Sequence, residues 1–165
     1  SRRMKDIVCA ENIRVAAPLS AVFAVAAGPD VPALFRARGL VPGVVAVSGH
    51  EGAWSAPGET RLLSLSDGAS VREELLEFRS NESFAYRVSG LTGLFGVLMR
   101  EARGEWRLCE TAPGETYIEW IYRFSPAPFA ALAGRFVVSA LWPGYMRAAL
   151  ARIKSAAEER AVPGT

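Results

Sequence analysis

The chain has 165 residues, of which 19 are lysine or arginine and 17 are aspartate or glutamate, giving a formal net charge of +2 at pH 7. Half of the residues are hydrophobic, which excludes an intrinsically disordered chain and provides enough apolar surface for a real core. The small net charge excludes the large basic surface that nucleic-acid binding requires. We therefore expect one domain over residues 1–165, with flexible ends at 1–5 and 160–165.

Histidine and cysteine are scarce, since the chain contains only His50, Cys9 and Cys109. A structural zinc site needs four ligands of these kinds, so we expect no bound metal and no other cofactor. Lysine occurs only at positions 5 and 154, which disfavours a Schiff-base lysine in a central pocket. No apolar signal segment or bilayer-spanning stretch is present, so we expect a cytoplasmic protein without a membrane span.

Apolar periodicity and turn residues divide the chain into predicted elements. A first strand is predicted over 6–15, after which Pro18 opens a short helix with Val22 and Phe23 on its apolar stripe. A second short helix is predicted over 31–36. Six further strands are predicted over 44–48, 59–65, 69–78, 83–89, 97–110 and 115–124.

A long helix ends the chain in this prediction, extending from about residue 128 to 159 after the strand-ending Pro126. Its predicted apolar face comprises Leu132, Phe136, Ala140, Met146, Leu150 and Ile153. An antiparallel sheet with helices on one face is an α+β arrangement. A long sheet of this kind can curl around a helix and leave a hollow between the two.

The hairpin around Gly68 can pair in two ways. A two-residue loop pairs Arg61 with Glu74 and puts leucines and charges on the same face. A three-residue loop with Gly68 in the left-handed region pairs Arg61 with Glu73 instead. Because register follows the apolar pattern, we predict the second pairing. One face then carries a single Arg–Glu pair among the apolar residues Leu63, Leu65, Val71 and Leu75.

The inner face of the predicted sheet thus contains a charged pair. A two-residue turn at Ser80-Asn81 would also place Tyr86 beside Leu75 and Val88 beside Glu73. Two interpretations of the charged pair are open. It is either a structural ion pair that fixes the register, or a functional pair in which the arginine holds a ligand oxygen and the glutamate orients it or serves as base.

Several short motifs are spread over the chain: Ala17-Pro18, Val22-Phe23, Gly58 to Arg61, Asp67-Gly68, Glu73, Leu75, Tyr86, Thr116, Ile118 and Trp120. In these motifs the chain resembles the SRPBCC superfamily of START domains, polyketide cyclases and birch-pollen-type allergens. It is most similar to the bacterial polyketide cyclase/dehydrase-like members. The resemblance implies the helix-grip fold, in which a curved seven-stranded antiparallel sheet wraps around the long C-terminal helix, with two short helices after the first strand. It also implies a deep, mostly apolar cavity.

Three kinds of function remain open, because a fold alone does not determine a reaction. The leading hypothesis is a monomer or homodimer that binds a hydrophobic, lipid-, polyketide- or aromatic-like small molecule. Its candidate ligand-binding residues are Leu63, Leu65, Val71, Leu75, Tyr86, Trp106, Trp120, Tyr122 and Phe136. The alternative is a polyketide cyclase or aromatase with Arg61, Glu73 and Tyr86 as catalytic residues. The third is an interaction module without a ligand.

Other features each have two interpretations. The glycine repeat at residues 90–96 predicts an apolar loop at the cavity mouth, either a gate or an ordinary connection between strands. Trp106 is predicted to face Trp120 across the last hairpin, where the two rings either wall a ligand site or pack the core. His50 in its Gly-rich connection is either a general base or an exposed side chain.

Overall fold

The computed structural model describes residues 5–161. They form the elements β1 (Ile7–Val15), α1 (Leu19–Ala26), α2 (Val31–Leu34), β2 (Val44–Ser48), β3 (Thr60–Leu65), β4 (Ser70–Arg79), β5 (Ser83–Ser89), α3 (Gly93–Leu98), β6 (Met99–Ala112), β7 (Glu115–Pro126) and α4 (Ala131–Ala161). The strands make one antiparallel sheet in the order β1-β7-β6-β5-β4-β3-β2. This arrangement confirms the predicted α+β fold class, a seven-stranded sheet with a long C-terminal helix. Residues 1–4 and 162–165 of the predicted flexible ends lie outside the described residues.

The long strand β7 organises the sheet, because it pairs with β1 on one side and with β6 on the other. Its side chains alternate between buried and partly exposed along the whole strand. This is the period of two that its sequence predicted, and it defines an inner face of the sheet. α1 and α4 pack over that inner face and against each other. The core therefore lies between one sheet and the helices.

The β3–β4 hairpin has the predicted register. Arg61 pairs with Glu73, and the backbone N–H of Leu65 donates to the carbonyl of Ala69 at 2.9 Å. Gly68 has φ +85°, the left-handed conformation that a three-residue loop of this kind requires and that glycine adopts without steric penalty. The apolar pattern has thus selected the pairing that brings the charged pair onto the inner face.

The turn between β4 and β5 is one residue longer than predicted. Arg79 pairs with Ser83, and Asn81 between them has φ 60°. A β-bulge in the middle of β4 then shifts the register by one residue. The extra residue in the turn and the extra residue in the bulge cancel, so Leu75 still faces Tyr86 as predicted.

The glycine repeat is a short helix, α3, where the sequence predicted a loop, and β6 consequently begins at Met99. Phe95 and Leu98, three residues apart in α3, are both buried, and this helical spacing explains why the segment forms a helix. Gly96 permits this packing, because a Cβ atom at that position would lie 2.3 Å from the carbonyl oxygen of Leu91. The predicted contact with the cavity is present, since Leu91 and Phe95 both line it.

The first half of α4 buries a different face from the one predicted. Leu132 and Phe136 are 85% and 76% exposed, whereas Gly134 and Val138 are buried. Gly134 packs directly on the side chain of Met99, whose Cε would lie 2.7 Å from a Cβ atom at that position and would have to shift to admit one. The glycine side of the helix therefore lies close to the start of β6. Phe136 is therefore a surface residue and not part of the cavity, which corrects its assignment as a ligand-binding residue.

One buried hydrogen bond connects the start of β7 to the segment before α1, and its removal tests the packing of this end of the sheet. The hydroxyl of Thr116 donates to the carbonyl of Ala17 at 2.8 Å, and both residues are buried. Thr116→Val preserves the shape but leaves that carbonyl without its donor. We expect the free energy of unfolding to fall by about 1–3 kcal/mol in urea denaturation.

The matched control is Thr111→Val, because the hydroxyl of Thr111 makes a 2.8 Å bond to the carboxylate of Glu115 on the surface. We expect this variant to change the free energy of unfolding by less than about 0.5 kcal/mol. Equal losses in the two variants would contradict a stabilising role for the buried bond.

Candidate functional site

A cavity of about 100 Å³ lies between the inner face of the sheet and α4. Its walls come from β2 to β7 and from all four helices. With the exception of Phe136, every candidate site residue from the sequence lines it: Arg61, Leu63, Leu65, Val71, Glu73, Leu75, Tyr86, Trp106, Trp120 and Tyr122. The register of the sheet has therefore brought together residues that are up to 61 positions apart in the chain.

The charged pair is the most polar feature of the cavity. The Nε of Arg61 donates to Oε1 of Glu73 at 2.9 Å, and Nη2 contacts the same oxygen at 2.8 Å. The two side chains are only 12% and 7% exposed. Burial raises the pKa of the Glu73 carboxyl, while the charge and hydrogen bonds of Arg61 act in the opposite direction. Because both contacts use Nε and Nη2, the guanidinium still has Nη1 to offer to a ligand.

Trp54 covers the other side of the arginine. The Cζ atom of Arg61 lies 3.7 Å from the centroid of the Trp54 ring, a cation–π contact. The indole N–H of Trp54 donates to the backbone carbonyl of Glu59 at 3.3 Å, and the carboxylate of Glu59 lies 3.0 Å from Nε2 of His50. These contacts fold residues 50–59 into a loop, here called the Trp54 loop, against the start of β3. His50 belongs to this loop and does not line the cavity.

Three tyrosines surround the ion pair, namely Tyr86 on β5, Tyr122 on β7 and Tyr145 on α4. Burial raises the pKa of each phenol well above its ordinary value, and the negative charge of Glu73 adds to the effect. At neutral pH all three are therefore neutral hydroxyls that can donate hydrogen bonds. The Tyr86 hydroxyl accepts a hydrogen bond of 3.3 Å from the indole N–H of Trp106, which leaves its own proton available.

Stacked aromatic rings form another wall. Trp106 and Trp120 face each other across β6 and β7, as the sequence predicted, with ring centroids 4.3 Å apart and an interplanar angle of 21°. Phe84 stacks on the far side of Trp106 at 5.4 Å. The two tryptophans are almost completely buried, so they pack the core, and they also form part of the cavity wall.

Two of the lining residues that the sequence did not predict, Trp54 and Tyr145, bear directly on the ion pair. Trp54 lies in a loop whose fold has no periodic signal, so nothing in the sequence connects it with Arg61. Tyr145 was missed because the predicted apolar face of α4 was centred on its neighbour Met146. If Gly134 and Val138 are taken to mark the buried face of α4, Tyr145 also falls on that face, because it follows Val138 by seven residues, or two helical turns.

Further features of residues 5–161 concern metal sites, membrane spans and thiols. Within residues 5–161, no three histidine, cysteine, aspartate or glutamate side chains cluster closely enough to hold a metal ion. In the same part of the chain, no helix is both long enough and apolar enough to cross a membrane. Cys9 is a buried free thiol and Cys109 an exposed one.

Fold and cavity together define a helix-grip protein, with a curved sheet, a long C-terminal helix and a hollow between them. Within that class, the chain belongs to the family described as polyketide cyclase / dehydrase and lipid transport, whose model matches residues 7–158. This confirms the resemblance found in the sequence. No curated protein matches the chain in sequence.

Solved structures share the fold at low sequence identity. The Zhui aromatase/cyclase from Streptomyces sp. R1128 is 18% identical with a TM-score of 0.71, over 96% of this chain and 98% of that one. StfQ, a di-domain aromatase/cyclase from the steffimycin biosynthetic pathway, is 16% identical with a TM-score of 0.71, over 95% of this chain and 52% of that one. The major latex-like protein 151 from Panax ginseng is 12% identical with a TM-score of 0.66, over 97% and 100%. The same fold thus occurs in two aromatase/cyclases and in a plant protein.

The buried tyrosines predict how the protein responds to alkali. Unfolded tyrosines ionise near pH 10, whereas Tyr86, Tyr122 and Tyr145 keep their protons in the folded protein. Above that pH the folded state binds more protons than the unfolded state, so the free energy of unfolding falls as pH rises. We expect a step in tyrosinate absorbance at 295 nm that coincides with the loss of the circular dichroism signal.

Single Tyr→Phe variants serve as the controls for this titration. Tyr145→Phe should reduce the step by about one third, since Tyr86, Tyr122 and Tyr145 contribute to it. Complete ionisation of these three tyrosines in a protein that is still folded would contradict their burial in the folded state.

Proposed function

We propose that the protein binds a small, flat, mainly apolar ligand in the cavity between the sheet and α4. The observation that carries this proposal is the composition of the cavity wall. One ion pair and three neutral hydroxyls form a polar end, Asp67 and Thr92 add two polar side chains elsewhere, and the rest of the wall is mainly aliphatic and aromatic. A few convergent polar groups in an apolar pocket are typical of small-molecule sites, because the apolar wall supplies affinity and the polar groups fix orientation.

The size of the cavity limits the ligand. A volume of about 100 Å³ is of the order of the cavities that take up one small aromatic ring. A longer ligand would require the Trp54 loop or α3 to move. The stacked indoles of Trp106 and Trp120 favour a planar ring, and the free Nη1 of Arg61 favours an oxygen on that ring.

Binding of acetophenone, one ring with one carbonyl, tests this proposal. We expect saturable 1:1 binding in calorimetry, together with a change in tryptophan fluorescence, since all four tryptophans line the cavity. Arg61→Ala should weaken binding about tenfold or more, because a hydrogen bond from a charged donor contributes ~1.5–3 kcal/mol. Arg61→Lys should restore only part of the affinity, since a point charge lacks the planar fork.

Two further variants complete this test. Arg72→Ala, on the exposed face of β4, should bind acetophenone like the wild type. Because Arg61→Ala leaves Glu73 buried without its partner, the double variant Arg61→Met, Glu73→Leu provides a folded comparison that also lacks the donor. Unchanged affinity in the double variant would show that Arg61 does not hold the ligand, and absence of saturable binding to the wild type would contradict the proposed function.

A second candidate function is ring closure of a poly-β-carbonyl chain by aldol addition and loss of water. One observation favours it, namely that a cation, a carboxylate and a neutral hydroxyl meet at the polar end of the cavity. In this mechanism Glu73 takes a proton from the carbon between two carbonyls, and Arg61 holds the enolate oxygen. The enolate carbon attacks another carbonyl of the chain, whose oxygen takes the proton of Tyr86, and the proton held by Glu73 then restores the Tyr86 hydroxyl. The new hydroxyl then leaves as water with a proton from the neighbouring carbon.

A synthetic poly-β-ketone thioester tests the enzymatic candidate. We expect aromatic absorbance to appear faster with the protein than in buffer, and Arg61→Ala to lower the rate by ~10²-fold or more, as the loss of one oxyanion donor does. Glu74→Gln on the outer face of β4 should react like the wild type. A rate equal to that in buffer would reject the cyclase and leave ligand binding as the function.

A further inference from the structure

The positive charge at the polar end of the cavity is already paired and is not available to bind an anion. The positive charge of Arg61 is neutralised by Glu73 through contacts of 2.8 and 2.9 Å, and its face is covered by the Trp54 ring at 3.7 Å. A guanidinium is always protonated at neutral pH, and its two short contacts favour the charged form of the facing carboxylate. The pair is therefore neutral as a whole.

The remaining cavity wall adds no positive charge. Tyr86, Tyr122 and Tyr145 are neutral hydroxyls, and the only other charged side chain on the wall is Asp67, in the turn between β3 and β4. Among the lining residues there is thus one cation and two carboxylates. A ligand that brings a further negative charge would face Glu73 in a site that is largely closed to water, where like charges repel strongly.

We propose that this arrangement makes the cavity select a neutral ligand with a carbonyl or phenol oxygen over a carboxylate of the same size, and that Glu73 sets this selection. The inference rests on the proposed ligand-binding function and narrows its ligand class. A neutral oxygen accepts a hydrogen bond from Nη1 of Arg61 without competing with Glu73. A carboxylate must either displace Glu73 from the arginine or remain unpaired beside it, and both are unfavourable.

Acetophenone and benzoate form a matched pair of probes for this inference, because they share one ring and differ in an acetyl or a carboxylate group. At pH 8 benzoate is fully ionised. We expect calorimetry to give at least tenfold tighter binding of acetophenone to the wild-type protein. Benzoate binding as tight as acetophenone, or tighter, would overturn the inference while the proposed function stands. Failure of both probes to bind would contradict the proposed function itself.

Glu73→Gln tests which residue sets the selection, since it removes one negative charge with almost no change in shape. We expect benzoate affinity to rise at least tenfold, and acetophenone affinity to change less than about threefold. Glu74→Gln, one residue along β4 on the outer face, removes the same charge outside the cavity and should leave both affinities unchanged. A Glu73→Gln protein with the wild-type preference would overturn the role of Glu73.

A pH series on the wild-type protein provides a second measurement that does not depend on how the variant folds. Burial raises the pKa of Glu73, so lowering the pH from 8 toward 5 shifts this carboxyl toward its neutral form earlier than it would an ordinary glutamate, while Arg61 stays charged and Tyr86, Tyr122 and Tyr145 stay neutral. Benzoate affinity should then rise as pH falls. Acetophenone does not ionise and should show little change. A benzoate affinity independent of pH over this range would also overturn the role of Glu73.

Discussion

The ion pair between Arg61 and Glu73 is the interaction on which the interior of this protein depends. Two charges removed from water are unfavourable unless they meet closely, and the β3–β4 register places them directly opposite each other. The residues next to the pair also help to compensate for the removal of these two charges from water. Trp54 covers the guanidinium with its ring, and Tyr86, Tyr122 and Tyr145 line the same cavity as the carboxylate. The polar end of the cavity is thus one connected unit.

The cavity itself results from uneven packing of α4 against the sheet. At Gly134 the helix packs directly on the side chain of Met99, whereas farther along Trp142 and Tyr145 line the cavity. A curved sheet does not stay in contact with one helix along its whole length, so a hollow remains between the two. The same backbone in other proteins accommodates different chemistry, and here the polar end distinguishes the site.

Local sequence determined most of the sheet. The apolar pattern of β3 and β4 and the turn chemistry of Gly68 were enough to predict the register that joins Arg61 to Glu73. The alternation along β7 was enough to predict the pairing of Trp106 with Trp120. These predictions succeed because a strand has a period of two, and a slip of one residue would move every apolar side chain to the wrong face. The turn after β4 is one residue longer than predicted, but the residues on the inner face are as predicted, because a bulge in β4 compensates for the extra residue.

Only the tertiary structure decided the rest of the site. The first half of α4 is apolar on several sides, so its sequence alone did not choose between Phe136 and Gly134 as the buried position, and the close approach of the sheet made that choice. The stacking of Trp54 on Arg61 depends on how a loop without periodicity closes. Sequence by itself thus determined the fold class and the charged pair, because both follow from regular local patterns. The enclosure of that pair was decided by packing between distant segments, which no local pattern encodes.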